Sequence, residues 1–413
     1  MRSASARVCV RTVDALAGSC VAFGVPLLVL QQTHSTTWAG LSFATEWIPR
    51  LMAIGAAAPW VDRLGARTAV LYAASARTVV VLVALAAVAC GGAWPLLTAL
   101  AAVSGVLAQV TSVATASLIA DAARRANAGG VRRVQVLKAR CDQSVLLVGP
   151  MLAGFLASGG ALWLLATTAA LSAVAVAIGA ALPSPGPATV SCARRRPGLR
   201  TGAAVMRACP ALMWATVAGF GANVLAAVVE GATPVQVAQT YHRAPASTGL
   251  VWMVAAMVAL VAMALISRAA CRWGLWAMTC ATTALTGAGA LTAAMAPRFA
   301  VYAVGVAVIA AAEQGIGLLL DTARTRLIPP EHYASTVSLG SLSMLAPFPA
   351  AGLVISAAGR THLPELLLAC GALATVVAVV SLYALHPHRR ELEQSPVSRL
   401  PAALAPPQAA VAA

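Results

Sequence analysis

Long apolar segments alternate with short polar ones from end to end of this 413-residue chain. A helix that crosses the roughly 30 Å apolar core of a bilayer needs about 20 apolar residues, and segments of that length recur throughout. The pattern predicts an all-α membrane protein with twelve spans, at 12–31, 39–60, 68–90, 94–119, 141–158, 161–182, 210–230, 249–267, 274–295, 299–320, 337–358 and 362–385.

Composition supports this interpretation, because 60% of the residues are hydrophobic and only 10% are charged. Soluble proteins average about 25% charged residues. Abundant glycine and alanine suit close helix packing in lipid, where small residues let backbones approach one another.

The formal net charge of +16 raises nucleic acid binding as an alternative. In the twelve-helix topology, however, most basic residues fall in loops on one face of the membrane. Arg243, Arg298 and Arg360 fall on the other face, and Arg50 and Arg77 lie within spans. This positive-inside pattern predicts that both termini are cytoplasmic and that the protein lies in the cytoplasmic (inner) cell membrane. It explains the charge without nucleic acid as a partner.

A short charged turn separates the second and third predicted spans. It contains Asp62-Arg63-x-Gly65-x-Arg67, which resembles the loop 2–3 signature of the major facilitator superfamily. The resemblance covers about 12–385 and implies two six-helix halves that transport a small molecule by alternating access. It also implies that this loop latches the cytoplasmic side in the outward-facing state. The chain departs at the family's opening glycine, and a turn that only sets topology is the alternative.

The two halves of the sequence repeat each other, as the major facilitator fold requires. Three matched pairs carry the repeat: 62–65 with 271–274, 121–124 with 321–324, and 149–150 with 346–347. The predicted organisation is an N-terminal half at 1–182, a cytoplasmic linker at 183–209, a C-terminal half at 210–385 and a disordered cytoplasmic tail at 386–413.

The fifth predicted span contains Gly149, Pro150 and Gly154, which match three of the five positions of a Gly-x-x-x-Gly-Pro-x-x-Gly-Gly motif. Drug and metabolite exporters of the superfamily carry this motif, so the resemblance favours efflux over uptake. The run 46–50 before the loop 2–3 motif is also similar to the enterobactin-exporter and macrolide-efflux branch. An ordinary proline kink is the alternative for Pro150.

Ionisable residues inside the spans are the candidates for ion coupling, since each costs about 2.5–3.5 kcal/mol on insertion scales. Asp14 and Glu313 have no opposite charge within four residues on their own helices, so we expect them to couple proton movement to transport. Alternatively, Asp14 marks the interface and Glu313 pairs with an arginine of another helix. Glu46 and Arg50 share a helix face at a spacing of four and form either a structural or gating pair or a proton site.

Polar side chains are expected to line a central cavity between helices 1, 4, 7 and 10, as the resemblance implies. The candidates are Gln109, Asn223 and Gln314. Few charges lie on those helices, which favours a neutral or amphiphilic substrate. Asp142 and Glu230 are expected at the membrane interfaces.

The sequence contains no nucleotide-binding loop and no catalytic constellation, so we expect neither an enzyme nor a cofactor. Its cysteines and histidines show no metal-binding spacing. The sequence therefore predicts a secondary transporter that exports a small organic molecule (a drug, siderophore or secondary metabolite) in exchange for protons. Its expected partners are that substrate, protons and membrane lipid. An uptake carrier or facilitator of the same fold, and a non-transporting membrane protein, are the alternatives.

Overall fold

The computed structural model describes residues 2–91, 94–124, 128–182, 199–328, 332–389 and 392. Within these ranges the chain forms fourteen α-helices, a π-helical turn at Gln236–Thr240 and a 3-10 turn at His386–His388. The helices are α1 (Arg2–Thr33), α2 (Thr36–Leu64), α3 (Ala66–Ala89), α4 (Trp94–Arg124), α5 (Ala128–Ser158), α6 (Ala161–Ala181), α7 (Leu199–Ala208), α8 (Pro210–Val235), α9 (Ala246–Trp273), α10 (Leu275–Ala294), α11 (Phe299–Leu327), α12 (Tyr333–Leu345), α13 (Pro347–Ala358) and α14 (Leu363–Leu385).

Each of the twelve predicted spans overlaps a helix, and span 337–358 is divided between α12 and α13 at Ala346. A proline follows at 347, and proline removes a backbone donor and interrupts the helix. Among the described helices, nine are long and apolar enough to cross a membrane by length and composition, and the apolar part of α5 is shorter, at Ser144–Ser158. The short helix α7 occupies part of the predicted linker. The rest of that linker, residues 183–198, lies outside the described ranges.

Several helices begin earlier than their predicted spans, because polar turns continue them beyond the apolar window. Arg11 lies before the predicted start of α1, and its Nε donates to Asp142 of α5 at 2.7 Å. Lys138, four residues before Asp142, also contacts that carboxylate, at 2.9 Å. Asp142 lies in the middle of α5, where it joins α1 to α5, and its predicted place at the membrane interface stays a prediction.

The surface of the bundle is apolar along the helices. Large side chains that are exposed include Met52, Phe155, Trp163 and Tyr383. Contiguous apolar surface of this kind suits contact with lipid rather than water.

The helices pack in corresponding pairs. α3 packs on α6 and α10 packs on α14, while α2 packs on α13 and α5 packs on α9. The last two pairs join the helices before α7 to those after it, so contacts between α1–α6 and α8–α14 follow a repeated pattern. Paired repeats about one axis are the architecture expected for two facilitator halves.

Two glycines show the repeat in the backbone. Gly65 joins α2 to α3 with φ 81° and ψ 142°, and Gly274 joins α9 to α10 with φ 89° and ψ 153°. The amide of Gly65 donates to the Val61 carbonyl, and that of Gly274 donates to the Ala270 carbonyl. This conformation is essentially restricted to glycine. The matched positions 65 and 274 of the sequence repeat therefore form the same turn.

Candidate functional site

The two sets of helices meet closely at one end of the bundle, which we name the closed end and which contains residues 34–40 and 242–249. A Cβ placed on Gly154 of α5 would lie 2.8 Å from the Gly249 nitrogen of α9. A Cβ on Gly40 of α2 would lie 2.7 Å from the Gly352 oxygen of α13. Side chains larger than hydrogen are therefore excluded from both crossings.

Polar contacts reinforce the closed end. The Thr36 hydroxyl donates to the Gln239 side-chain carbonyl at 3.1 Å, and the amide of Gln239 donates to the His34 carbonyl at 3.1 Å. These bonds connect the loop between α1 and α2 to the π-helical turn after α8.

An aromatic layer lies next to the closed end. The ring centres of Trp47 in α2 and Phe348 in α13 are 4.2 Å apart, and the tilted ring of Phe43 lies 6.2 Å and 6.4 Å from them. A Cβ on Gly231 of α8 would lie 3.4 Å from the ring of Phe43. Three helices from the two halves are thus held together by this layer.

Glu230 of α8 lies within electrostatic range of Glu46, Arg50 and Glu313, and we name these four side chains the central charged cluster. Arg50 Nη1 lies 3.8 Å from Glu46 Oε1, which confirms the pairing that the four-residue spacing predicted. The Arg50 guanidinium lies over the Trp47 ring at 4.4 Å from its centre. Glu230 interacts electrostatically with Glu46, Arg50 and Glu313. The cluster therefore contains side chains from α2, α8 and α11.

The three carboxylates lie at similar depth. Glu46 follows the start of α2 at Thr36 by ten residues, Glu230 precedes the end of the helical segment at Thr240 by ten, and Glu313 follows Phe299 by fourteen. At a rise of 1.5 Å per residue, these offsets place the three carboxylates about 15 to 21 Å from the helix ends on the side of the closed end. Since a bilayer core is about 30 Å thick, the cluster lies near its middle.

The position of Glu230 corrects a prediction. The sequence places this residue at the outer interface, but α8 and the π-helical turn continue for ten residues beyond it. Glu230 is half-buried within the bundle and contributes a carboxylate to the central charged cluster. Glu313 is also half-buried, and within the described ranges neither Glu230 nor Glu313 forms an ion pair within 4 Å.

Asp14 has a different environment from the one expected. It forms a buried ion pair with Arg77 of α3, whose Nε donates to Ser172 Oγ of α6 at 3.3 Å. Both charged side chains are nearly inaccessible to solvent. The carboxylate that lacked a partner in the sequence is therefore paired across helices, within the first six helices.

The sequence of residues 8–346 matches the family model described as Major Facilitator Superfamily. The chain belongs to this superfamily. It is thus a multi-pass membrane transporter of the facilitator type, and no curated protein matches it in a sequence comparison.

Solved transporters share the fold. A bacterial homologue of the iron transporter ferroportin in an inward-facing state gives a TM-score of 0.71 at 17% identity, over 92% of this chain and 98% of that one. A bacterial ferroportin homologue in an outward-facing state gives 0.60 at 18% identity, over 92% and 99%. A POT family transporter in complex with 5-aminolevulinic acid gives 0.70 at 12% identity, over 92% and 96%. At these identities the likeness shows the facilitator fold.

The loop 2–3 motif of this facilitator lies at the end of the bundle opposite the closed end. Arg63 is exposed, whereas Arg67 donates through Nη2 to the Ala180 carbonyl of α6 at 2.7 Å. The backbone of Asp62 lies in the last turn of α2, but its side chain lies outside the part of the chain that the structure describes. Arg67 therefore fixes the turn to α6, and the latch itself stays a prediction.

The helix 5 residues of this facilitator contact two neighbours. A Cβ on Gly149 would lie 2.6 Å from the Ser19 Cβ of α1, within the same half. A Cβ on Gly249 of α9 would lie 2.9 Å from the Pro150 oxygen, in the opposite half. The motif 149–154 thus places α5 between α1 and α9.

The predicted cavity residues are all half-buried. Asn223 donates to the Gly219 carbonyl at 2.9 Å and Gln314 donates to the Ala310 carbonyl at 3.2 Å, each one turn earlier on its own helix. Gln314 is next to Glu313 in sequence. The side-chain carbonyl oxygens of Asn223 and Gln314 accept no hydrogen bond among the described residues, so these two oxygens remain available to a substrate.

Proposed function

We propose that this facilitator exports a small organic molecule, of the drug, siderophore or secondary-metabolite kind, in exchange for protons. The observation that carries the proposal is the central charged cluster, which the two halves build together near the middle of the bundle. Facilitators place their substrate site between the halves and expose it alternately to each side. A titratable group in that position is likewise exposed first to one side of the membrane and then to the other.

Charge balance supports proton coupling. The cluster contains three carboxylates and one guanidinium, so full ionisation leaves two negative charges without a partner inside the cluster. Uncompensated charge at this depth is costly, and a bound proton or a bound substrate removes it. Because protons and substrate act on the same carboxylates, binding of one opposes binding of the other. That competition is what an antiporter requires.

The closed end supports an inward-facing state. In the predicted topology the loop between α1 and α2 lies outside the cell, so contacts of Gly40 with Gly352 and of Gly154 with Gly249 shut the outer side. The higher TM-score with the inward-facing ferroportin homologue agrees with this assignment. In this state the cytoplasmic latch of Asp62, Arg63 and Arg67 is expected to be open.

The direction of transport rests on the helix 5 motif. Gly149, Pro150 and Gly154 resemble the exporter pattern. In the structure these residues pack α5 against α1 and α9. Uptake through the same fold is the alternative, and vesicles of defined orientation distinguish the two.

The test uses inside-out membrane vesicles and a panel of neutral and charged fluorescent dyes. Export corresponds to dye accumulation in these vesicles when their lumen is acidified, and it should stop when the pH gradient is collapsed. Glu230→Gln and Glu313→Gln should each abolish gradient-driven transport, while dye counterflow without a gradient continues when the dye is supplied at a saturating concentration. The matched control is Glu365→Gln, since Glu365 is exposed and, in the described part of the chain, pairs only with His362 three residues away.

Transport that persists in both variants, with an unchanged dependence on the pH gradient, would refute the coupling role. Accumulation in right-side-out vesicles driven by an inward proton gradient would instead identify an uptake carrier.

A further inference from the structure

We propose that the central charged cluster selects organic cations that carry an apolar body. This inference deepens the proposed function and rests on it for the location of the substrate site. The sequence favoured a neutral or amphiphilic substrate, and the structure restricts this expectation to amphiphilic cations.

The first argument is electrostatic. Glu230 of α8 and Glu313 of α11 have no ion-pair partner within the described ranges, and Glu46 of α2 shares the single guanidinium of Arg50 at 3.8 Å. In surroundings of low dielectric constant, a cation of the substrate gains strongly from two unpaired carboxylates. An anion would meet an excess of negative charge and is excluded.

The second argument comes from polar atoms outside the carboxylate set. The indole N–H of Trp47, a side chain only 6% exposed, is buried and has no hydrogen-bond partner in the described part of the chain. The Arg50 guanidinium lies over the Trp47 ring, and among the described residues Arg50 Nε and Glu46 Oε2 are likewise buried without a hydrogen-bond partner. Since buried polar atoms are normally satisfied, these three atoms point to the place where a bound molecule meets the cluster.

The third argument is the apolar lining. Trp252 of α9 is half-buried, packs against the apolar core that contains Trp47, and has its ring 5.7 Å from that of Phe23 in α1. Its indole N–H is also buried and has no hydrogen-bond partner among the residues that the structure describes. Aromatic faces attract organic cations as well as apolar groups. Beside Arg50 the aromatic surface comes from both halves, through Trp47 of α2 and Phe348 of α13.

An inorganic metal ion fits these observations less well. In the described part of the chain, no three side chains among histidine, cysteine, aspartate and glutamate lie close enough together to hold a metal ion. Divalent cations need several such oxygen or nitrogen ligands at about 2.0–2.6 Å. Carboxylates spread over three helices suit a larger, delocalised cation.

Equilibrium binding to purified full-length protein in detergent separates this inference from transport. The probes are radiolabelled tetraphenylphosphonium and tetraphenylborate, which have similar size and opposite charge, with Mn²⁺ as the metal probe. Saturable tetraphenylphosphonium binding is expected, with tetraphenylborate failing to compete. Glu230→Gln and Glu313→Gln should each weaken it by at least about tenfold, and Glu365→Gln should leave it unchanged.

Binding does not require a proton gradient, so it can fail independently of proton-driven transport. Cation binding without gradient-driven transport would support the inference and overturn the proposed coupling. Gradient-driven transport confined to neutral or anionic dyes, without saturable cation binding, would overturn the inference and leave the proposed function standing. Saturable Mn²⁺ binding that Glu230→Gln abolishes, in the absence of tetraphenylphosphonium binding, would also overturn it.

Discussion

Gly154 of α5 and Gly249 of α9 are in backbone contact, so closely that a Cβ on Gly154 would lie 2.8 Å from the Gly249 nitrogen. Gly40 and Gly352 form the equivalent crossing of α2 with α13. Both crossings connect opposite halves of the molecule. Alternating access requires such contacts to separate, because the closed end must open for release on that side.

We therefore expect Gly154→Ala to destabilise the state in which the closed end is shut. Overpacking costs about 1–3 kcal/mol, which would shift the equilibrium between the two states by roughly 5- to 150-fold. Distances between spin labels at Gln32 and His242, both exposed on this end, should lengthen in a cysteine-free background. Gly317→Ala is the control, because a Cβ there meets nothing within 4 Å. An unchanged distance distribution for Gly154→Ala would contradict the assignment.

The pair of Asp14 with Arg77 predicts a loss of stability rather than of coupling. Asp14→Asn leaves the buried guanidinium of Arg77 without its anion, and removal of one partner of a buried pair costs about 3–5 kcal/mol. We expect a large fall in the melting temperature of the purified protein. Replacement of both charges in Asp14→Leu/Arg77→Met should recover most of the stability, since apolar residues often replace buried pairs.

The double variant separates the two roles of Asp14. If the pair is structural, Asp14→Leu/Arg77→Met keeps proton-dependent transport. A stable double variant whose transport no longer responds to the pH gradient would restore Asp14 as a coupling residue.

Much of the fold could be predicted from local patterns. Membrane helices must satisfy their backbone polar groups internally, so apolar length alone locates them. The matched glycines 65 and 274 were visible as a sequence repeat, and the structure gives them the same turn. Glu46 and Arg50 were predictable as a pair because they lie four residues apart on one helix.

The rest of the site depends on contacts between helices. Asp14 and Arg77 are 63 residues apart, so nothing local reveals their pairing. Glu230 was misplaced because Gly231, Thr233 and Pro234 suggest the end of a helix. Within a membrane such residues are tolerated, since neighbouring helices satisfy the backbone, and here the helical segment continues to Thr240.

The loop 2–3 motif predicts an asymmetry between the halves. Asp62 corresponds to Cys271, and a thiol of ordinary acidity carries no fixed negative charge at neutral pH. We expect Asp62→Asn to impair transport strongly and Cys271→Ser to have a mild effect, measured as initial rates of dye transport at equal protein abundance. Similar defects in both variants would assign the latch to both loops.

The two turn glycines provide a test of that asymmetry that does not depend on charge. Gly65 and Gly274 have φ of 81° and 89°, so alanine at either position is strained by about 1–3 kcal/mol. A Cβ meets nothing within 4 Å at Gly65, so the substitution there acts through the backbone and not through a clash. We expect Gly65→Ala and Gly274→Ala to lower the melting temperature by similar amounts. Only Gly65→Ala should also lower the transport rate per folded molecule, because it displaces Asp62 and Arg63 from the latch geometry. Equal losses of transport would show that loop 2–3 acts only as a turn between helices.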